Sequence, residues 1–444
     1  STTYTVTLTS GTGYTLSADQ GSRSPVTSGG SYSFTLDIAD SYKRGNNFAV
    51  KANGSELTAG ADGKYTISNI RENQTITVEG VVEITKYQVW VNGTQVTEAN
   101  KDNVLGDNSH SVIYTPANQD MPAILTLNNA NIVNTQTPTS GGMYYISPNG
   151  ITAKEDLKIN VIGTNKIESE HGNPIKAMKN LTISSDNSST DAFLELKSCD
   201  KMTSLSLDYQ EPYNLTIAGT VNVEAIASDS NALAATAVSA HNIIVQDSAK
   251  MTAINYGKNM TVYCKGVLTV KDSSILIVQG QNNDKAITAG DFTYHGHIVT
   301  ASKTFEGPSP NESVEPYNPA QLSTYKYVKV EPTTGIVVTG ITLSKDNLSM
   351  KIGQSETLTK NLLTTDNSAA TVQDVTWISD NPSIATVDED GKVTAISVGT
   401  ATITVLTKDG GYTDTCTVTV SNPSSSSGSH TTYYPVNTPA KSEG

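Results

Sequence analysis

The sequence predicts an all-β protein, a right-handed parallel β-helix between an N-terminal small β-sandwich and a second sandwich at the C-terminal side. Three observations carry this. Charged residues are only 16% of the 444, below the usual ~25%, while Thr, Ser, Asn and Gly abound, a balance that favours strands and tight turns over helix. Short runs of one form recur: Asn180-Leu181-Thr182-Ile183, Asn214-Leu215-Thr216-Ile217, Asn242-Ile243-Ile244-Val245 and Asn259-Met260-Thr261-Val262. Between these runs nothing shows a helical period.

The elements follow in order. Tyr4-Thr5-Val6-Thr7-Leu8 and Tyr32-Ser33-Phe34-Thr35-Leu36 alternate as strands. Asn53-Gly54 is a hairpin signal, because both positions of a type I′ turn need positive φ. Asp62-Gly63 precedes Tyr65-Thr66-Ile67, and Gln74-Thr75-Ile76-Thr77-Val78 closes a first unit, 1–81. Strands at this short spacing with turn signals between them read as a small β-sandwich. On the pieces GTGYT, GGSYSFTL, VKANG, DGKYTISNI and QTITVEG, the unit resembles the small modules repeated in Gram-positive surface proteins, which implies a spacer role.

The second unit, 82–332, opens with Tyr87-Gln88-Val89-Trp90-Val91, the turn Asn92-Gly93 and the return Thr94-Gln95-Val96-Thr97. This entry segment is expected to cap the first coil, whose open edge would otherwise template aggregation. From Ala123 to Ile298 the coils follow. Starts at Leu181, Leu215, Ile243 and Thr261 give a loose period, so insertions leave at corners. On YQVWVNGTQVT, LTLNNANI, the recurring Leu-Thr-Ile runs and the closing Thr324–Pro332 stretch TYKYVKVEP, residues 86–330 resemble a β-helix module of Gram-positive surface proteins.

The third unit, 333–421, carries Gly353-Gln354-Ser355-Glu356-Thr357-Leu358, Val375-Thr376-Trp377-Ile378-Ser379, Ile384-Ala385-Thr386-Val387 and Gly399-Thr400-Ala401-Thr402-Ile403. Along its whole length it resembles a group 2 bacterial immunoglobulin-like domain, which implies an immunoglobulin-like sandwich with Trp377 in the core. The stretch 422–444, with its Ser424–Ser429 tract, reads as a flexible linker. A start at Ser1 reads as part of a longer chain. The resemblances together imply a secreted protein attached to the surface of a Gram-positive bacterium of the Firmicutes.

Net charge of −14 argues against nucleic acid and against docking on anionic lipid. No apolar run of about 18 residues is present, so no membrane insertion is expected. The three cysteines, Cys199, Cys264 and Cys416, form no CxxC pair. They read as buried thiols, with a Cys199–Cys264 disulfide as the alternative.

The coils invite lyase and glycosidase readings. Both are disfavoured by the sequence. Lyase chemistry calls for a strong base, yet no arginine follows Arg71. Glycoside hydrolysis needs two carboxyls at fixed separation, whereas Asp186, Asp191, Asp200, Asp208, Glu211, Glu224 and Asp229 scatter and suit Asx turns. His295-Gly296-His297 is expected to put two imidazoles on one strand face beside Asp291, short of the four ligands of a structural metal site. Asp388-Glu389-Asp390-Gly391 offers a carboxylate-rich turn where Ca²⁺ is conceivable, but the rest of a calcium loop is missing, so a hairpin turn is expected at Asp388 and Asp390. No cofactor is expected.

Tyrosine is unusually frequent, 20 against 5 Phe and 2 Trp. Its ring stacks and its hydroxyl hydrogen-bonds, which suits glycan or protein recognition. A ladder of Tyr144, Tyr145, Tyr209, Tyr213 and Tyr256 on one face is the expected binding surface. The function expected from sequence is a non-catalytic, monomeric cell-surface adhesin presenting this face to a glycan or host extracellular protein. The alternatives are an accessory or catalytic region of a surface polysaccharide-degrading enzyme, and a spacer.

Overall fold

In a computed structural model the described residues are 2–137, 148–185, 191–199, 202–229, 235–282, 285–305, 307, 317–365 and 367–423. They form two compact units, 1–208 and 209–444. Among the described residues there are strands, turns and a single 3₁₀ turn, Pro319–Thr324, and no α-helix.

The first unit begins with two facing sheets. One joins Val6–Leu8, Gln74–Glu83, Tyr42–Ala52 and Ser55–Leu57, and the other joins Tyr14–Ala18, Tyr32–Ile38 and Tyr65–Ile67. Phe34, Val50, Ile70 and Ile76 fill the space between them, and Phe34 stacks on Tyr65 at 5.5 Å. The hairpin at Asn53-Gly54 has φ of 47° and 84°, and that at Asn92-Gly93 has 49° and 79°, the positive angles their turn type requires.

Parallel stacks follow. Ala123–Asn128, Leu157–Ile162 and Leu181–Ser184 pair in register, so Leu125, Ile159 and Ile183 form one interior file. Asn131–Asn134, Thr164–Ser169 and Phe193–Ser198 make a second stack with Ile132, Ile167 and Leu196 in file. Ile151–Ala153, Ile175–Ala177 and Leu205–Leu207 make a third. All these file residues are fully buried. Period-2 alternation explains the arrangement: Leu-Thr-Ile sends both apolar groups inward and Thr outward. Val112–Thr115 pairs antiparallel on the first strand of the first stack, and Lys86–Val91 on the first strand of the third. The entry segment therefore covers two open edges, as a cap should.

The second unit repeats the coil. Leu215, Ile243 and Leu268 form one file, Val223, Met251 and Leu276 another, and Val238, Val262 and Ile287 the third. Here the sequence reading needs correction. Val262 of the Asn259 run pairs with Val238, not with Ile243. One coil on from Ile243 is Leu268, because strand Val262–Val270 bulges between Cys264 and Val267 and its second half turns to another face. Tyr327–Pro332 then pairs antiparallel with Ile275–Gly280 and with His297–Ser302.

The corner between the first and second strands of the coils uses left-handed backbone. Asn129 and Gly163 occupy it in the first unit, and Gly219, Asp247 and Asp272 in the second. Asp, Asn and Gly tolerate this conformation best. The Asp carboxylates also tie coils together: Gly219 N–H donates to Asp247 Oδ2 at 2.8 Å and Asp247 N–H to Asp272 Oδ2 at 3.1 Å.

The last element is a sandwich. Asn347–Lys351, Thr413–Ser421, Gly399–Thr407 and Val375–Ser379 form one sheet, and Ser355–Thr357, Lys392–Ala395 and Ala385–Val387 the facing one. Ile403, Val393, Ala385, Cys416 and Val418 are its buried core. Trp377 packs against this core from its half-buried position, not from its centre.

Candidate functional site

The best-built surface feature lies in the second unit, at the bulge. Asn242 Nδ2 donates to Asn214 Oδ1 at 3.0 Å, and Asn242 Oδ1 accepts from Val267 N–H at 3.1 Å. At Gly266, a Cβ would come within 2.9 Å of His241 Cδ2 and closer still to Asn242 Oδ1, so a side chain there would displace both. The bulge thus lifts Lys265 and Gly266 out of the ladder, a device that re-aims neighbouring side chains. Lys265 Nζ donates to Gln210 Oε1 at 3.5 Å, and His241 Nδ1 lies 3.1 Å from Tyr209 O.

Tyr263 sits on the strand just before the bulge. The alternation Val262-Tyr263-Cys264 points it outward, between the small residues Ser239 and Thr288 of the neighbouring strands. Its ring meets that of Tyr209 edge-on, with centroids 5.3 Å apart and planes at 89°. Tyr209 is 39% exposed. The result is an aromatic pair made by a turn residue, Tyr209, and an outward strand residue, Tyr263, with an amide, an imidazole and an ammonium beside it. Tyr263 was not among the expected binding residues, although the alternation in its own strand marks it.

The other expected binding residues divide. Tyr213 lies half-buried in the same turn as Tyr209, where its N–H donates to Glu211 O at 2.7 Å. Tyr256 follows Lys250–Asn255 and packs on Phe305 at 5.9 Å, on a different stack. Tyr144 and Tyr145 lie outside the described residues. The described tyrosines therefore do not make one ladder.

The histidine expectation is corrected. Gly296 turns with φ of 73°, so His295 and His297 do not share a strand face. His297 is fully buried, with Nδ1 3.0 Å from His295 O and Nε2 3.1 Å from Ser274 O. His295 is exposed and stacks on Tyr412 at 4.7 Å. Asp291 Oδ1 accepts from Phe292 N–H. At the other acidic turn, Asp388 Oδ1 accepts from the N–H groups of Asp390 and Lys392 at 3.1 and 2.9 Å. Gly391 there has φ of 80°, so this is a hairpin turn held by an Asx bond. Among the described residues no group of three potential ligands is placed to hold a metal ion. None of the three cysteines is in a disulfide; Cys264 and Cys416 are buried, whereas Cys199 is half-buried and its thiol donates to Glu168 at 3.1 Å.

Of the scattered carboxylates, Asp186 and Asp200 lie outside the described residues, and Glu224 is on strand Asn222–Ala227 rather than in a turn. A carboxylate cluster that sequence reasoning missed lies on the second stack of the first unit. Lys166 Nζ is 2.8 Å from Glu168 and 3.4 Å from Glu195, and Lys197 Nζ is 3.4 Å from Glu168. The bond from Lys166, joined by one from the Cys199 thiol, holds the Glu168 carboxyl down at about 2. A glycosidase acid must keep its proton near neutrality, so Glu168 is not placed to donate one.

Residues 337–418 match the bacterial Ig-like domain (group 2). Among characterised and uncharacterised proteins, the chain is similar to an uncharacterised protein of Clostridium acetobutylicum, 39% identical over 100 residues, 22% of this chain and 10% of that protein. It is similar to a lacto-N-biosidase of Bifidobacterium bifidum, 34% identical over 116 residues, 26% of this chain and 10% of the enzyme. It is also similar to a kappa-carrageenase of Pseudoalteromonas carrageenovora, 39% identical over 89 residues, 20% of this chain and 22% of the enzyme. The chain thus spans only about a tenth to a fifth of the length of these relatives. A solved S-layer protein, rSbsC, shares 20% identity over 30% of this chain and 21% of its own, with a TM-score of 0.18, which is too low to carry an argument. No helix among the described residues is long and apolar enough to cross a membrane. The expectation that the chain stands apart from enzymes is corrected by the two enzyme relatives. What is shared with all three curated relatives is a limited part of each, and the family match in this chain is its group 2 bacterial Ig-like domain.

Proposed function

We propose that this chain is the glycan-engaging accessory region of a secreted, surface-attached bacterial protein that processes polysaccharide. The observation that carries the proposal is the Tyr209–Tyr263 pair, an exposed ring braced edge-on by a second ring on a rigid strand face. Such a ring offers an apolar surface to a pyranose face and a hydroxyl to its rim. Gln210, His241 and Lys265 beside it supply directional polar contacts, the mixture typical of ligand sites. The names of two relatives, a lacto-N-biosidase and a kappa-carrageenase, support a polysaccharide setting. The limited share of each that is matched supports a module within a larger protein.

The test is a glycan array probed with the whole chain and with Tyr209→Ala. Retention on one glycan class, reduced about tenfold or more in the variant, supports the proposal; tenfold is ~1.4 kcal/mol of binding. Retention that ignores Tyr209, or none at high micromolar concentration, sinks it. Incubating the chain with the retained polysaccharide and following new reducing ends or unsaturated products decides whether cleavage occurs in this region itself.

A further inference from the structure

A cleft of about 460 Å³ opens elsewhere in the second unit, between strand His297–Ser302 and the Ig-like sandwich. That volume lies within the ~300–1,000 Å³ of ordinary ligand sites. One wall is Val299, Thr300 and Ala301, and the other is Asp374, Val375 and Thr376. Both walls are sheet edges. Among the described residues, His297–Ser302 has a ladder on one side only, with Tyr327–Pro332, and Val375–Ser379 on one side only, with Gly399–Thr407.

The first edge already begins a second ladder. Ile298 forms a lone antiparallel bridge with Asp409, and Gly410 N–H donates to His297 O at 2.9 Å. Asp409 is locked by Thr333 Oγ1–H at 2.6 Å and Val338 N–H at 2.8 Å, so the bridge is fixed. Asp409 lies just past strand Gly399–Thr407, and the cleft is flanked by the His297–Ser302 edge and by Asp374–Thr376. Among the described residues, no strand continues the ladder past Ile298. An unpaired edge is a template for an added strand.

We propose that this cleft is a strand-addition site for an extended, neutral, β-branched-rich polypeptide segment of a partner protein. Continuity with the Ile298–Asp409 bridge gives the added strand its starting register. Val299, Ala301, Val375 and Leu406 give it small and branched apolar neighbours. The charges in the lining balance, Lys360 and Lys408 against Asp374 and Glu389, with Lys408 and Asp374 3.8 Å apart. A segment carrying net charge has nothing to neutralise it there. Tyr317 also lines the cleft, and its hydroxyl is buried with no hydrogen-bond partner among the described residues, a rare condition in a finished site. A saccharide is less suited: Tyr317 is the single ring in the lining, and it is packed by Tyr294 and Tyr325 at 6.1 and 6.0 Å.

The test uses the whole chain and a labelled, end-capped Thr-Val hexapeptide repeat, read by fluorescence anisotropy and by hydrogen exchange. The expected result is saturable binding, with the outward-facing edge amides of Ala301 and Val375 newly protected. The same peptide N-methylated at alternate amides binds at least tenfold more weakly, a control that leaves the protein unaltered. Gly410 N–H donates to His297 O while Thr333 N–H donates to Gly296 O, so the backbone groups of the odd-numbered residues face the open edge. Ala301→Pro, which removes one donor there, weakens binding likewise. No binding, equal binding of the N-methylated peptide, protection confined to other strands, or protection of these amides by a neutral oligosaccharide and not by the peptide would each overturn the proposal. Since neither Tyr209 nor Tyr263 lines the cleft, Tyr209→Ala leaves peptide binding unchanged.

Discussion

The stacked coils and the Ig-like sandwich are both all-β, yet they treat buried polar groups differently. In the sandwich the buried polar side chains among the described residues are Thr364, Thr407 and Asp409. In the coils they include Asn134, Asn165, Asn173 and Asn255, with Ser169, Ser198, Ser204 and Ser274. A sandwich places its turns at its ends, where water satisfies the backbone. A coil must bend at corners packed on the coils above and below, so carbonyls and N–H groups there need side-chain partners. Asn255 shows the solution. Its Nδ2 donates to Ala235 O, Asn259 O and Met260 O at 2.9–3.1 Å, and its Oδ1 accepts from Gly257 N–H. The lesson is that the coils depend on specific interior amides, and the sandwich on apolar packing.

The largest expected effect tests what the two regions share. Ile167→Ala, in the file Ile132–Ile167–Leu196, is expected to cost ~2–5 kcal/mol. In denaturant the coil transition moves to lower concentration, while the sandwich transition, followed by Trp377 fluorescence in a Trp90→Phe background, stays in place. Next comes the difference itself. Asn255→Ala is expected to cost ~1–3 kcal/mol, because several buried carbonyls lose their donor. Ser383→Ala, which removes an exposed bond to Asn381 in the sandwich, is expected to stay within ~0.5 kcal/mol. Equal effects of these two polar substitutions would erase the distinction.

Two smaller effects sharpen it. Burial pushes the Cys264 thiol, interior to the coils, up to about 11. The expected result is that Cys264 resists alkylation at pH 8 in the folded protein and reacts once the coils unfold. On the outer face of the coils, Glu168 is depressed from 4.5 to about 2, chiefly by Lys166. Its contribution to stability is therefore present above the ordinary carboxylate value and is lost as pH falls from there toward 2. A carbon-detected titration should place its midpoint near the lower value, and Lys166→Met should raise it. An unmoved midpoint would remove Lys166 as the cause.

Much of the fold was legible because alternation and turn chemistry are local. Leu181-Thr182-Ile183, Asn53-Gly54 and Asn92-Gly93 each declare their own structure. The Asn259 run misled because Asn recurs for two reasons. Asn214 and Asn242 form an inter-strand amide pair, whereas Asn259 stands at another corner, where its backbone carbonyl, a group any residue carries, accepts from Asn255. The site was less legible. Tyr209 was singled out by abundance of its residue type, but its partner Tyr263, in the regular part of its strand, meets it through the stacking of coils, which no local motif announces. The His295–His297 pair failed because a strand was assumed through Gly296, where the chain turns.

The central claim is that the Tyr209–Tyr263 face engages a glycan. Calorimetric titration of the whole chain and of the Tyr209→Ala/Tyr263→Ala variant, with an oligosaccharide of the class retained on the array, tests it most directly. The account predicts saturable binding by the native chain and at least tenfold weaker binding by the variant, with both unfolding transitions unchanged. Equal affinities in the two proteins, or no heat from the native chain, would contradict it.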